Sequence, residues 1–86
     1  MATYRIEVTR SAQRDLDALV PGIGRRVLTA VAALAGDPRP HGCRKLTGSH
    51  NAYRLRVGDY RILYTIDDAE ESVTVFAVGH RRDVYR

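Results

Sequence analysis

Two alternating runs, residues 52–57 and 60–66, flank the dipeptide Gly58-Asp59, and no other feature of the chain constrains its fold as tightly. Glycine at the first central position of a two-residue loop suits a type II′ turn, so the runs read as an antiparallel β-hairpin. Such a turn fixes the register, pairing Val57 with Tyr60, Leu55 with Ile62 and Tyr53 with Tyr64. That row is apolar and must lie against another layer. The opposite row pairs Arg56 with Arg61 and Arg54 with Leu63, which gathers Arg54, Arg56 and Arg61 on the other face. Like charges directly opposite each other are destabilising. Three clustered guanidinium groups therefore point to an anionic ligand, with a solvated arginine face as the plain alternative.

The covering layer has to come from upstream. Residues 4–9 alternate as a first strand, with Tyr4, Ile6 and Val8 on one face. Thr9 or Ser11 then caps a short helix in which Ala12, Leu16, Leu19 and Val20 recur at i, i+4, i+7 and i+8. Pro21 and Gly22 break that helix and start a second, whose stripe is Ile23, Val27, Val31 and Leu34 and which Gly36 and Pro38 close. Residues 39–50 read as a loop, and a last strand over 72–79 follows the acidic turn 67–71. The order β-α-α-β-β-β predicts one α+β domain over residues 1–86, its two N-terminal helices packed on one face of a mostly antiparallel sheet. The other face is left for function.

Charge narrows that function. The net charge is +4, and Lys45 is the only lysine among 14 basic side chains. Arginine is the better planar partner for phosphate and carboxylate, so nucleic acid or an acidic protein is the expected partner. Arg44, Lys45 and Arg82 extend the basic character beyond the hairpin as candidate RNA contacts. The lone Cys43 cannot form an internal disulfide and has no evident base beside it, so it reads as inert. No apolar segment resembles a signal peptide or approaches the ~20 residues needed to span a bilayer, which predicts a soluble cytoplasmic protein. No cluster of cysteine, histidine and carboxylate has metal-ligand spacing, and Gly22-Ile23-Gly24 lacks the third glycine of a phosphate cradle, so no metal or cofactor is expected. The tyrosines of the hairpin fit the core row. Tyr85, beyond the last strand, is the aromatic freest to stack on a base, and His80 is the residue of the tail suited to proton transfer, with a structural role as its alternative.

The run Tyr53-Arg54-Leu55-Arg56-Val57-Gly58-Asp59-Tyr60-Arg61-Ile62-Leu63-Tyr64 resembles the hairpin signature of RelE-type toxins from bacterial toxin–antitoxin modules. Val78-Gly79-His80-Arg81-Arg82-Asp83-Val84-Tyr85 is similar to their C-terminal signature, and Arg44-Lys45-Leu46-Thr47-Gly48 to the basic motif before the hairpin. The resemblance covers nearly the whole chain. It implies a ribosome-dependent endoribonuclease that inhibits translation by cleaving mRNA in the ribosomal A site without metal, through attack of the 2′-hydroxyl on the adjacent phosphate. By position it implies that Arg61 stabilises the phosphate, that Arg81 is the acid or leaving-group stabiliser, and that Tyr85 stacks on a base. Arg54 and Arg56 match a pair that is often lysine in the family, one member of which has the base role. Arginine, with a pKa above about 12, is a poor base, which makes His80 the substitute. The implied partners are the ribosome and an acidic cognate antitoxin, in a hetero-oligomer that binds operator DNA. A ParE-like gyrase inhibitor and a non-catalytic RNA- or protein-binding module are the alternatives.

Overall fold

The hairpin forms in the register that its turn dictates. In the computed structural model, which describes residues 3–80, all three apolar pairs and both arginine-bearing pairs are those expected. Gly58 has φ +61°, and Glu71 is the one non-glycine residue with positive φ among those described, so the turn has the left-then-right backbone of type II′.

The elements run β1 (Arg5–Val8), α1 (Arg10–Asp17), α2 (Pro21–Ala33), β2 (Arg44–Lys45), β3 (Ala52–Val57), β4 (Tyr60–Asp67) and β5 (Ser72–His80). They form one five-stranded sheet in the order β1-β5-β4-β3-β2, antiparallel except where β1 pairs parallel with β5. β2 lies inside the stretch expected to be loop. A two-residue ladder is too short to leave an alternation in sequence.

Thr9 caps α1, its hydroxyl accepting from the Ala12 amide at 3.1 Å, and Pro21 opens α2 where its missing N–H costs nothing. Both helices lie on the same sheet face. Ala12, Leu16, Val27, Val31 and Leu34 pack there with Ile62, Tyr64, Ile66, Val73, Val75 and Val78. Fully burying a side chain such as Leu34 contributes roughly 1.5–3 kcal/mol. α1 is further tied to the sheet by Asp15, whose carboxylate accepts from the Val78 amide at 3.0 Å. Val20 departs from the stripe assigned to it and is 63% exposed. α1 ends at Asp17 and Val20 is the extended N-cap of α2, so the 3.6-residue phase no longer reaches it. Among the described residues, no helix is long and apolar enough to cross a membrane.

Candidate nucleic-acid interface

On the face away from the helices, cross-strand pairing sets two rows side by side. One runs Arg44, Arg54, Leu63, Ala77 across β2, β3, β4 and β5, and the next runs Arg56, Arg61, Gly79. Arg44, Arg54, Arg56 and Arg61 thus share one surface. Leu63 is only 5% exposed although it lies opposite the main core, and gives this surface an apolar floor. Arg54 and Arg61 are half-buried and Arg56 is exposed. Long arginine stems can cover apolar surface while their charged ends reach the polar side.

Two depressions open on this side. One, of ≈ 590 Å³, is lined by Arg44, Lys45, Leu46, Thr47 and Arg54, and the other, of ≈ 380 Å³, by His41, Gly42, Arg44, Arg54, Leu55 and Arg56. Arg44 and Arg54 are common to both. Lys45 pairs with Tyr53 and so belongs by alternation to the helix-side row, yet it lines the larger depression at the sheet edge. His41 was not singled out in the sequence. Its signal was the local turn chemistry of Pro40-His41-Gly42, with glycine where a left-handed residue is needed.

The loop that carries His41 is fastened from the helix side. Arg39 donates from Nη1 and Nη2 to the two carboxylate oxygens of Asp68 at 3.2 and 2.8 Å, and from Nε to the Tyr53 hydroxyl at 3.2 Å. Tyr4 donates to Asp68 at 2.6 Å, and Tyr64 donates to the Pro38 carbonyl at 2.9 Å. The Tyr53 and Tyr64 rings stack at 6.0 Å between centroids. Arg39 first, and then Tyr4, hold the Asp68 carboxyl below the usual carboxylate range, and the bond to Asp68 raises Tyr4 in turn. Burial, with a smaller effect from Cys43, pushes the Tyr64 phenol up. Cys43, on the loop, lies beside this buried phenol.

His80 is not brought to the arginine surface. It pairs with Tyr60, in the helix-side row, and its ring stands edge-on to that tyrosine at 5.6 Å and 84°. The cause is a β-bulge. Leu63 pairs with Ala77 but Tyr64 with Val75, so Phe76 is an extra residue that shifts the phase of everything after it. Unbroken alternation from Val73 and Val75 would have carried His80 to the same side as Arg61. Arg81, Arg82 and Tyr85 lie outside the described residues.

Over residues 6–85 the chain matches the family described as ParE toxin of type II toxin–antitoxin system, parDE. Toxin RelG of Mycobacterium tuberculosis is 39% identical to it over 87 residues, 96% of this chain and 97% of the relative. Among solved structures, the toxin–antitoxin complex RelBE2 from the same organism matches with a TM-score of 0.82 and 34% identity, over 96% of this chain and 97% of that one. The archaeal RelE–RelB complex from Pyrococcus horikoshii matches with a TM-score of 0.83 and 26% identity, over 95% and 99%.

Proposed function

The chain belongs to the RelE/ParE superfamily of type II toxin–antitoxin toxins, as a RelE-type member, and from that premise we propose that it is an endoribonuclease that cleaves mRNA in the ribosomal A site and so inhibits translation. The reaction is metal-independent and proceeds through the RNA itself. The 2′-hydroxyl loses its proton and its oxygen bonds to the adjacent phosphorus. The P–O5′ bond then breaks, leaving a cyclic phosphate on one fragment and a 5′-hydroxyl on the other.

The observation that carries this reading is the shared surface of Arg44, Arg54, Arg56 and Arg61. Charge builds on the phosphate oxygens as phosphorus becomes five-coordinate, and guanidinium groups already in place stabilise it without reorganising. Arginine also binds phosphate through two parallel N–H donors, which fixes the orientation of the strand. In this reading Arg61 and Arg56 hold the scissile phosphate, while Arg54, Arg44, Lys45 and Arg82 follow the backbone of the RNA. By their positions in the C-terminal motif, Arg81 stabilises the leaving oxygen and Tyr85 stacks on a base. In this reading the base role is not given to His80, whose ring stands against Tyr60 on the other face.

The partners follow from the same chemistry. The ribosome presents the mRNA in the cytoplasm, and an acidic antitoxin neutralises the arginine surface between uses; that similar chains were crystallised as RelE–RelB complexes supports an antitoxin partner. The toxin–antitoxin hetero-oligomer binds operator DNA.

The matched family's description names ParE toxins, which makes gyrase inhibition the second reading. Primer extension on mRNA from cells after induction separates the two. Cuts within translated codons support cleavage on the ribosome. Accumulating cleaved DNA with an SOS response, and intact mRNA, would assign the chain to the gyrase inhibitors.

A further inference from the structure

An arginine surface can stabilise charge, but it cannot start the reaction. Removing the 2′-hydroxyl proton takes a group that accepts protons near neutral pH, and arginine stays protonated in proteins. A lysine acts as a base at neutral pH only when burial strips its charge, and Lys45 is exposed. We infer that His41 is the proton acceptor of this surface, positioned by the Pro40–Cys43 turn beside Arg44, Arg54 and Arg56. This assignment rests on the endoribonuclease reading above.

The geometry behind it is local and specific. The Cys43 amide donates to the Pro40 carbonyl at 3.1 Å, closing a four-residue turn around His41 and Gly42. Gly42 has φ +93°, the left-handed backbone that the third position of a type II turn requires. His41 therefore occupies the second position, at the tip. The turn is short and held at both ends, upstream by Tyr64 on the Pro38 carbonyl and Arg39 on Asp68, downstream by the pairing of Arg44 with Arg54. His41 lines the ≈ 380 Å³ depression together with three arginines, Arg44 from β2 and Arg54 and Arg56 from β3, and among the described residues no carboxylate lines it. That volume lies in the range of small-molecule sites and suits a single nucleotide. A phosphate held by the arginines would present its neighbouring 2′-hydroxyl to the same depression.

In the step assigned to His41, the neutral imidazole takes the 2′-hydroxyl proton as the P–O2′ bond forms. The P–O5′ bond breaks and the 5′ oxygen takes its proton from water. No oxidant, reductant or other co-reactant enters.

The test is single-turnover cleavage of mRNA on programmed ribosomes by the wild type, His41→Ala, His41→Gln and His80→Gln, with and without added imidazole. His41 is exposed, so its variants should fold, which circular dichroism checks. The expected result is a loss of roughly 10²–10⁴ in rate for both His41 variants. Imidazole should restore part of the His41→Ala rate in proportion to its concentration and do nothing for the bulkier His41→Gln. A residue that only shaped the loop would not be rescued. Wild-type cleavage with an unimpaired His41→Ala overturns the assignment and leaves the endoribonuclease reading standing, and so does a slow His41→Ala that imidazole fails to accelerate. A folded wild type that cleaves nothing on ribosomes overturns both.

Discussion

Arg56 and Arg61 stand directly opposite each other across the β3–β4 hairpin, and their row continues not to a carboxylate but to Gly79. Like charges placed this way repel, and an anion bound between them would turn that repulsion into attraction. A site built so concentrates positive charge where an anion would bind.

Arg56→Ala separates those two effects. Arg56 is exposed, so its truncation removes little packing and relieves the repulsion. The unfolding free energy from thermal and denaturant melts should stay level or rise, by at most ~1 kcal/mol. Cleavage should fall by about 10²–10³, the usual effect of removing one donor to a charged transition state. Wild-type cleavage by the folded variant removes Arg56 from the site.

Tyr64→Phe probes the loop from the opposite side of the sheet. The side chain is fully buried and its hydroxyl donates to the Pro38 carbonyl at 2.9 Å. Losing that bond should cost about 0.5–1.5 kcal/mol, because the carbonyl is left with a poorer partner. The turn that begins two residues downstream should loosen as well. Faster hydrogen exchange at the Cys43 amide, with exchange in β4 and β5 changed only by the global loss, is the expected pattern. Unchanged exchange at Cys43 would mean that the turn holds itself.

Asp68 gives the fold a pH dependence of definite sign. Arg39 and Tyr4 hold its carboxyl below the usual carboxylate range in the folded protein. A depressed folded pKa contributes stability that is fully present above the unfolded value, near ~4, and is lost as pH falls through the folded one. The melting temperature of the wild type should therefore drop on acidification below about pH 4. Asp68→Asn should melt lower at neutral pH and show a flatter acid limb. Because the pair is exposed, salt should shrink the difference, and equal acid limbs in the two proteins would show that Asp68 is not its source.

What the sequence displayed, and what it hid, follows from the range of the interactions. A two-residue turn sets every later pair of the hairpin, so the arginine row could be read from residues 54–61 alone. The helix stripes were legible for the same local reason, up to Asp17, where α1 stops and Val20 drops out of phase. The bulge at Phe76 was not legible. Phe76 fits an alternating strand as well as its neighbours do, and only the pairing of Tyr64 with Val75 and Leu63 with Ala77 exposes it as the extra residue. That one residue moves His80 across the sheet. β2 was hidden by its length, and His41 by its distance in sequence from Arg54 and Arg56, which only the folded loop closes.

An acidic antitoxin segment covering the arginine surface should associate at a rate set by electrostatics. The steering comes from several guanidinium groups on one face, which attract a negative segment over roughly a Debye length, about 8–10 Å at physiological salt. Stopped-flow association of the toxin with the product of the neighbouring reading frame should slow by about tenfold or more as salt rises from low to high concentration, while dissociation changes little. Arg56→Glu reverses an exposed charge in the middle of this surface and should slow association further, with a shallower salt dependence. Dissociation should again change less, since exposed charges act mainly on encounter. An association rate indifferent to both salt and Arg56→Glu would place the antitoxin elsewhere on the fold, away from the arginines.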